Sequence, residues 1–92
     1  MKSMFYPATG EPSEIKPGHG EQFKLEELQG LIGGYIEPVC RFSDGSILFA
    51  NEEGKLRYLP VNVRATEMYH ARVATDGVIR GPAVLVAKGL VT

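Results

Sequence analysis

The sequence predicts an α+β domain, a small and mostly antiparallel β-sheet laid out as a meander of hairpins with one or two short helices. Three observations lead there. Eleven glycines and six prolines cut a chain of 92 residues into short elements. Turn signals at Asp44-Gly45 and Glu52-Glu53-Gly54 separate short apolar stretches. Only residues 25–32 combine helical spacing of leucines with start and stop signals. The length fits one domain over residues 1–92.

Residues 3–7 and 13–16 read as two short strands around the turn-rich Thr9-Gly10-Glu11-Pro12. After a loop at Pro17-Gly18-His19-Gly20, Leu25, Leu28 and Ile32 form one helical stripe with Leu31 beside it. Glu26 and Glu27 fall in the first turn, where the helix dipole favours them, and Gly33-Gly34 ends the helix. Tyr35 to Phe42 and Ser46 to Asn51 are expected as a hairpin about Asp44-Gly45. A two-residue turn would set Phe42 opposite Ile47 and Cys40 opposite Phe49 on one face, with Arg41–Leu48 and Val39–Ala50 on the other. Glu52-Glu53-Gly54 would then lead to a third strand, Lys55 to Leu59, ended by Pro60. Both faces of that meander are partly apolar, so the face that the helix leaves open needs a further element or another subunit. Asn62 to Tyr69 could form a short helix capped by Asn62. Pro82 to Ala87 is a continuous apolar run, the pattern of a central strand buried on both sides.

Composition narrows the functional classes. A hydrophobic share of 43% and a charged share of 23% belong to a folded chain and not to a disordered tail. No apolar run approaches the roughly 20 residues of a membrane span. The opening Met1 to Pro7 lacks the apolar stretch of a secretory signal, so the expected location is the cytoplasm. One cysteine, Cys40, permits neither an internal disulfide nor a cysteine-rich zinc site, and it reads as a small buried hydrophobe. Charge is uneven: residues 1–53 hold four Lys and Arg against nine Asp and Glu, and residues 54–92 hold six against two. The basic half suits a small anion or an acidic partner, or else the two halves complement each other within the fold or across an oligomer. A net charge of −1 makes nucleic acid an unexpected partner.

Motifs of enzyme chemistry are missing from the linear sequence. His19 and His70 lie far apart with no ligand-type residue at metal spacing, so no metal and no cofactor is expected. The glycine-rich Gly30 to Gly34 closes a helix and so lacks the helix N-terminus that a phosphate loop uses. Ser43-Asp44 and Glu52-Glu53 sit in turns. What stands out is residues 51–66, where the donors Asn51, Lys55, Arg57, Asn62 and Arg64 lie among aromatic and apolar side chains including Tyr58. Arginine grips phosphate with a planar fork, and an aromatic ring stacks on a base. The plainer reading makes Asn62 a helix cap, Pro60 a strand terminator, and Lys55 and Arg57 a solvated edge.

Gly33-Gly34-Tyr35-Ile36-Glu37 preceded by Leu28-Gln29, Asn51-Glu52-Glu53-Gly54-Lys55, the set Leu59-Pro60, Asn62 and Ala65-Thr66, and a late Ile79 and Gly81 before an apolar strand carry a resemblance. Over residues 14–88 the chain resembles a family of small phage and mobile-element proteins with a domain of unknown function. That resemblance implies a fold and a genomic context, and no established reaction. By context the chain is similar to phage sponges that hold a nucleotide immune signal, usually as homo-oligomers. The resulting expectation is a non-enzymatic counter-defence protein that sequesters a cyclic ADP-ribose-type or cyclic dinucleotide signal. Lys55, Arg57 and Arg64 would meet phosphates, Tyr35 and Tyr58 would stack, and Asn51 and Asn62 would give polar recognition. A different class of function is an adaptor or inhibitor that binds a host protein through the second sheet face, at Leu48 or Tyr58.

Overall fold

The computed structural model describes residues 2–91. In chain order its elements are β1 (Ser3–Tyr6), β2 (Ser13–Ile15), α1 (Leu25–Ile32), β3 (Ile36–Arg41), β4 (Ile47–Asn51), α2 (Val63–Arg72) and β5 (Ala83–Val86). The strands form one sheet in the order β2-β1-β5-β4-β3, and every neighbouring pair is antiparallel. The apolar run at the end of the chain therefore takes the middle of the sheet, as its composition demands. This is the small α+β architecture expected from the sequence.

Each face of the sheet has its own helix. Leu28 and Ile32 of α1 pack with Phe23, Phe49, Val84 and Val86 on one side. On the other, Ala65 of α2 packs with Leu48, Ala50, Ile79 and Ala83, and Met68 and Tyr69 join from the same helix. Side chains on successive β4 residues alternate between the two cores, the period of two that a pleated strand imposes. The second face is thus covered from within the chain by α2, the further element that was one of the two covers expected for it.

Asn62 starts α2 by accepting the Ala65 amide on its side-chain oxygen. Gly33 ends α1 in the left-handed conformation, φ 84°, where its amide reaches the Gln29 carbonyl at 2.8 Å. Both assignments match the sequence reading, although α2 continues to Arg72.

Two hairpin expectations need correction. The β3–β4 loop spans three residues, Ser43 to Gly45, because the Phe42 amide pairs with Ser46 O while Gly45, at φ 90°, donates to Phe42 O. Asp44 takes both the Ser46 amide and its hydroxyl, at 2.9 and 2.6 Å, and this holds its carboxyl below the usual range. The longer loop moves the register by one, giving Arg41 opposite Ile47 and Cys40 opposite Leu48. A bulge between Pro38 and Cys40 then shifts the register by one more and sets Pro38 opposite Phe49. Proline has no amide to give a ladder, and β3 is an edge strand where such a break is tolerated. Cys40 and Phe42 consequently face the α2 core, with Leu48, and not Phe49. Burial pushes the Cys40 thiol up.

The third strand of the expected meander does not form. Residues 52–58 make consecutive turns, with the Arg57 amide bonded to Glu53 O at 2.9 Å and the Leu59 amide to Gly54 O at 3.0 Å. The place beside β4 that this strand would have taken belongs to β5, whose side chains are buried on both faces. Burying a fully apolar strand removes more nonpolar area from water than pairing Lys55 to Leu59 would.

Candidate functional site

The 52–58 loop is started by Asn51, the last residue of β4. Its side-chain oxygen accepts the Glu53 amide at 2.8 Å, and its backbone carbonyl accepts the Gly54 amide at 3.2 Å. Such an Asx turn lets the strand end and the chain curl at once. Two bonds then fasten the loop to the segment between α1 and β3: the Glu52 amide donates to Tyr35 O at 2.9 Å, and Arg57 Nη1 donates to Gly33 O at 3.1 Å. Gly54 packs against the Arg80 backbone, and Arg80 Nη1 reaches Leu59 O at 3.2 Å.

This arrangement brings five of the seven sequence-predicted residues into one region: Tyr35, Asn51, Lys55, Arg57 and Tyr58. Lys55 and Arg57 are exposed, and among the described residues no carboxylate lies within ion-pair distance of either. Tyr35 is 65% and Tyr58 88% exposed, with Leu56 between the two basic residues at 79%. Tyr58 also has φ 52°, the left-handed region, which a side chain other than glycine enters at a cost.

Asn62 and Arg64 are placed elsewhere in the chain's chemistry. Asn62 is buried, and its carboxamide is fully occupied by the Ala65 amide and by the carbonyls of Tyr6 and Gly81. Its part is to cap and anchor α2, which is the plainer of the two readings open at the sequence level. Arg64 pairs with Glu11 at 3.3 Å beside a separate hollow lined by Pro7 to Glu11. Tyr6 nearby has its phenol pushed up by burial.

A cavity of about 220 Å³ opens on the α2 side of the same loop, lined by Glu37, Glu52, Lys55, Leu56, Val78 and Arg80 among others. Two acids and two bases make its wall mixed rather than basic. Glu37, Val78 and Arg80 were not singled out from sequence, because β3 and the segment before β5 approach the loop only through the sheet order. A larger hollow of about 400 Å³ lies between β2 and α1, but Glu26 and Glu27 line it beside Lys16, which disfavours an anion. Among the described residues no group of three or more His, Cys, Asp or Glu is placed to hold a metal ion, and no helix is long and apolar enough to cross a membrane.

No curated protein and no solved structure matches the chain. A family model does match it, over residues 1–89, and the chain therefore belongs to the family described as Domain of unknown function (DUF3846).

Proposed function

We propose that this protein is a non-enzymatic binder of a small anionic, nucleotide-like ligand, held at the 52–58 loop and the adjoining start of β3. One observation carries the reading. The Arg57–Gly33 hydrogen bond fastens the loop that carries the exposed Lys55, Arg57 and Tyr58 to the segment that carries the exposed Tyr35, and among the described residues neither cation has a carboxylate partner. Guanidinium and ammonium groups suit phosphates, and the rings suit a base. The mixed wall of the neighbouring cavity offers Glu37 and Glu52 to hydroxyl or amino donors of the same ligand.

The cavity is smaller than the roughly 300 Å³ at which enclosed ligand sites begin. A homo-oligomer that closes the site with a second copy is therefore part of the proposal. The finer reading is a phage or mobile-element counter-defence protein whose ligand is a cyclic ADP-ribose-type or cyclic dinucleotide immune signal. Sequestration needs no reaction, only a tight complex; a Kd of ~10 nM corresponds to about 11 kcal/mol.

The test is native mass spectrometry of protein purified from bacteria making such signals, followed by calorimetry with the nucleotides identified. An oligomer carrying a releasable nucleotide, with binding lost in an Arg57→Glu variant that still unfolds cooperatively as a native protein, is the expected result. A bare protein that also ignores the nucleotides in calorimetry would overturn it. It would turn attention to protein docking through Leu56 and Tyr58, the exposed apolar side chains of the loop.

A further inference from the structure

We infer that the hollow between β2 and α1 is a docking site for a basic segment of a partner protein, one that offers an apolar side chain flanked by Lys or Arg. The site stands apart from the nucleotide reading, since none of its residues belongs to the 52–58 loop or to the start of β3. Apolar surface, an unfilled helix flank and charge meet in it.

The apolar surface is one that the fold leaves partly in water. The hollow has a volume of about 400 Å³, and Ile15, Phe23 and Leu31 line it. Phe23 is buried, whereas Ile15 and Leu31 pack against the core cluster and stay half-buried. A side chain laid over them removes further nonpolar area from water.

Gly30 supplies the unfilled flank. With Glu26, Glu27 and Leu31 it forms the side of α1 that borders the hollow, at the spacing of neighbours along one helix face. Glycine weakens a helix interior relative to alanine. Nothing within the chain calls for it here: Gly30 does not have a positive φ, and a Cβ built on it would meet nothing within 4 Å. What the missing side chain preserves is the open wall of the hollow.

The rim sets the charge of the occupant. Glu26 and Glu27 stand there against a single base, Lys16. Glu27 is fixed by the Gly18 and Lys24 amides, at 2.7 and 3.1 Å. Glu26 is exposed and has no ion-pair partner among the described residues. An apolar floor under an acidic rim is complementary to an apolar side chain next to a cation. Glu26 and Gly30 are both exposed, so the hollow lies open at the surface, whereas small-molecule pockets enclose most of their ligand. A protein segment suits the open site, because its own flanking residues exclude water from the anchor.

The experiment is an NMR titration of the 15N-labelled full chain with acetylated and amidated tripeptides. Lys-Phe-Lys is the probe, and Glu-Phe-Glu and Lys-Ser-Lys separate charge from apolar content. Saturable shifts of the Gly30 and Leu31 amides are expected with Lys-Phe-Lys, and about tenfold weaker binding of either control. Gly30→Leu fills the hollow and Glu26→Lys reverses the unpaired charge on its rim. Each should weaken Lys-Phe-Lys about tenfold while keeping a native spectrum. If Gly30→Leu loses that spectrum, Glu26→Lys decides alone. A flat titration, shifts confined to other residues, an equal response to Glu-Phe-Glu, or undiminished binding in the folded variants would overturn the site. Two further measurements address other occupants. Phenethylammonium binding as tightly as Lys-Phe-Lys would make the occupant a small amine. A dimer seen by light scattering and lost in Gly30→Leu would make it a second copy. Either result overturns the assignment to a partner protein.

Discussion

The Asn62 side-chain amide donates to the Gly81 carbonyl at 2.9 Å, which ties the first turn of α2 to the residue that leads into the central strand. The same nitrogen bonds Tyr6 O at 3.0 Å, and the oxygen caps the helix at the Ala65 amide. One buried side chain thus holds β1, α2 and the approach to β5 together. Asn62→Ala removes a cap worth about 1 kcal/mol and strips two carbonyls of their donor, for a total loss of roughly 3 kcal/mol. Urea denaturation measures it, and a loss below about 1 kcal/mol would contradict the anchoring role.

Leu48 is fully enclosed beneath α2, so it cannot serve as the docking residue that an open second face would have offered. Leu48→Ala should cost about 2–5 kcal/mol of stability by leaving a cavity in the α2 core. Thermal unfolding of the variant gives the answer directly. A near-neutral effect would mean that α2 leaves the sheet readily and that the second face is open after all.

The elements that could be read from the sequence are those whose signals are local. Leu25 to Ile32 with Gly33 behind it, Asn62 before α2, and the apolar Ala83–Val86 each state their structure within a few residues. The register of β3 on β4 was not legible that way. It depends on Gly45 closing a three-residue loop, which sets Cys40 opposite Leu48, and on a bulge beside Pro38, which shifts the residues before it once more. Lys55 to Leu59 alternates like a strand, but β5 competes for the same edge of β4 and wins on burial. In the candidate site, Lys55, Arg57 and Tyr58 stood out because their side chains carry chemistry. Arg80 did not stand out, because it reaches the loop only through the fold.

Glu27 makes stability depend on acid. Its carboxylate accepts the Gly18 amide at 2.7 Å and the Lys24 amide at 3.1 Å, and these bonds, the Gly18 one foremost, hold its pKa below the ordinary 4.5. A carboxyl whose folded pKa is depressed stabilises the native state fully above its unfolded value and loses that contribution as pH falls through the folded one. Melting temperature should therefore drop between about pH 6 and about pH 3 more steeply in the wild type than in Glu27→Gln. The variant should start lower at neutral pH, since it keeps an acceptor oxygen and loses the charge. Parallel curves for the two proteins would show that the loop before α1 does not rely on this carboxylate.

Tyr58 joins strain to exposure, and the combination predicts opposite effects on stability and binding. At φ 52° its Cβ crowds the backbone, while a side chain left 88% in water recovers little from packing. Glycine adopts this conformation without that penalty, although it adds entropy to the unfolded chain. Tyr58→Gly should accordingly raise stability by about 0.5–1 kcal/mol, the left-handed cost of ~1–2 kcal/mol less the entropic term. If the ring stacks on a ligand base, the same substitution should weaken nucleotide binding by roughly tenfold, in line with a stacking contribution of about 1–3 kcal/mol. Tyr58→Asn, which also tolerates the conformation but keeps a side chain, separates relief of strain from loss of the ring. Both variants should melt higher than the wild type and bind less. A variant that melts higher and binds as well as the wild type would leave Tyr58 with no part in recognition and would shift the stacking role to Tyr35.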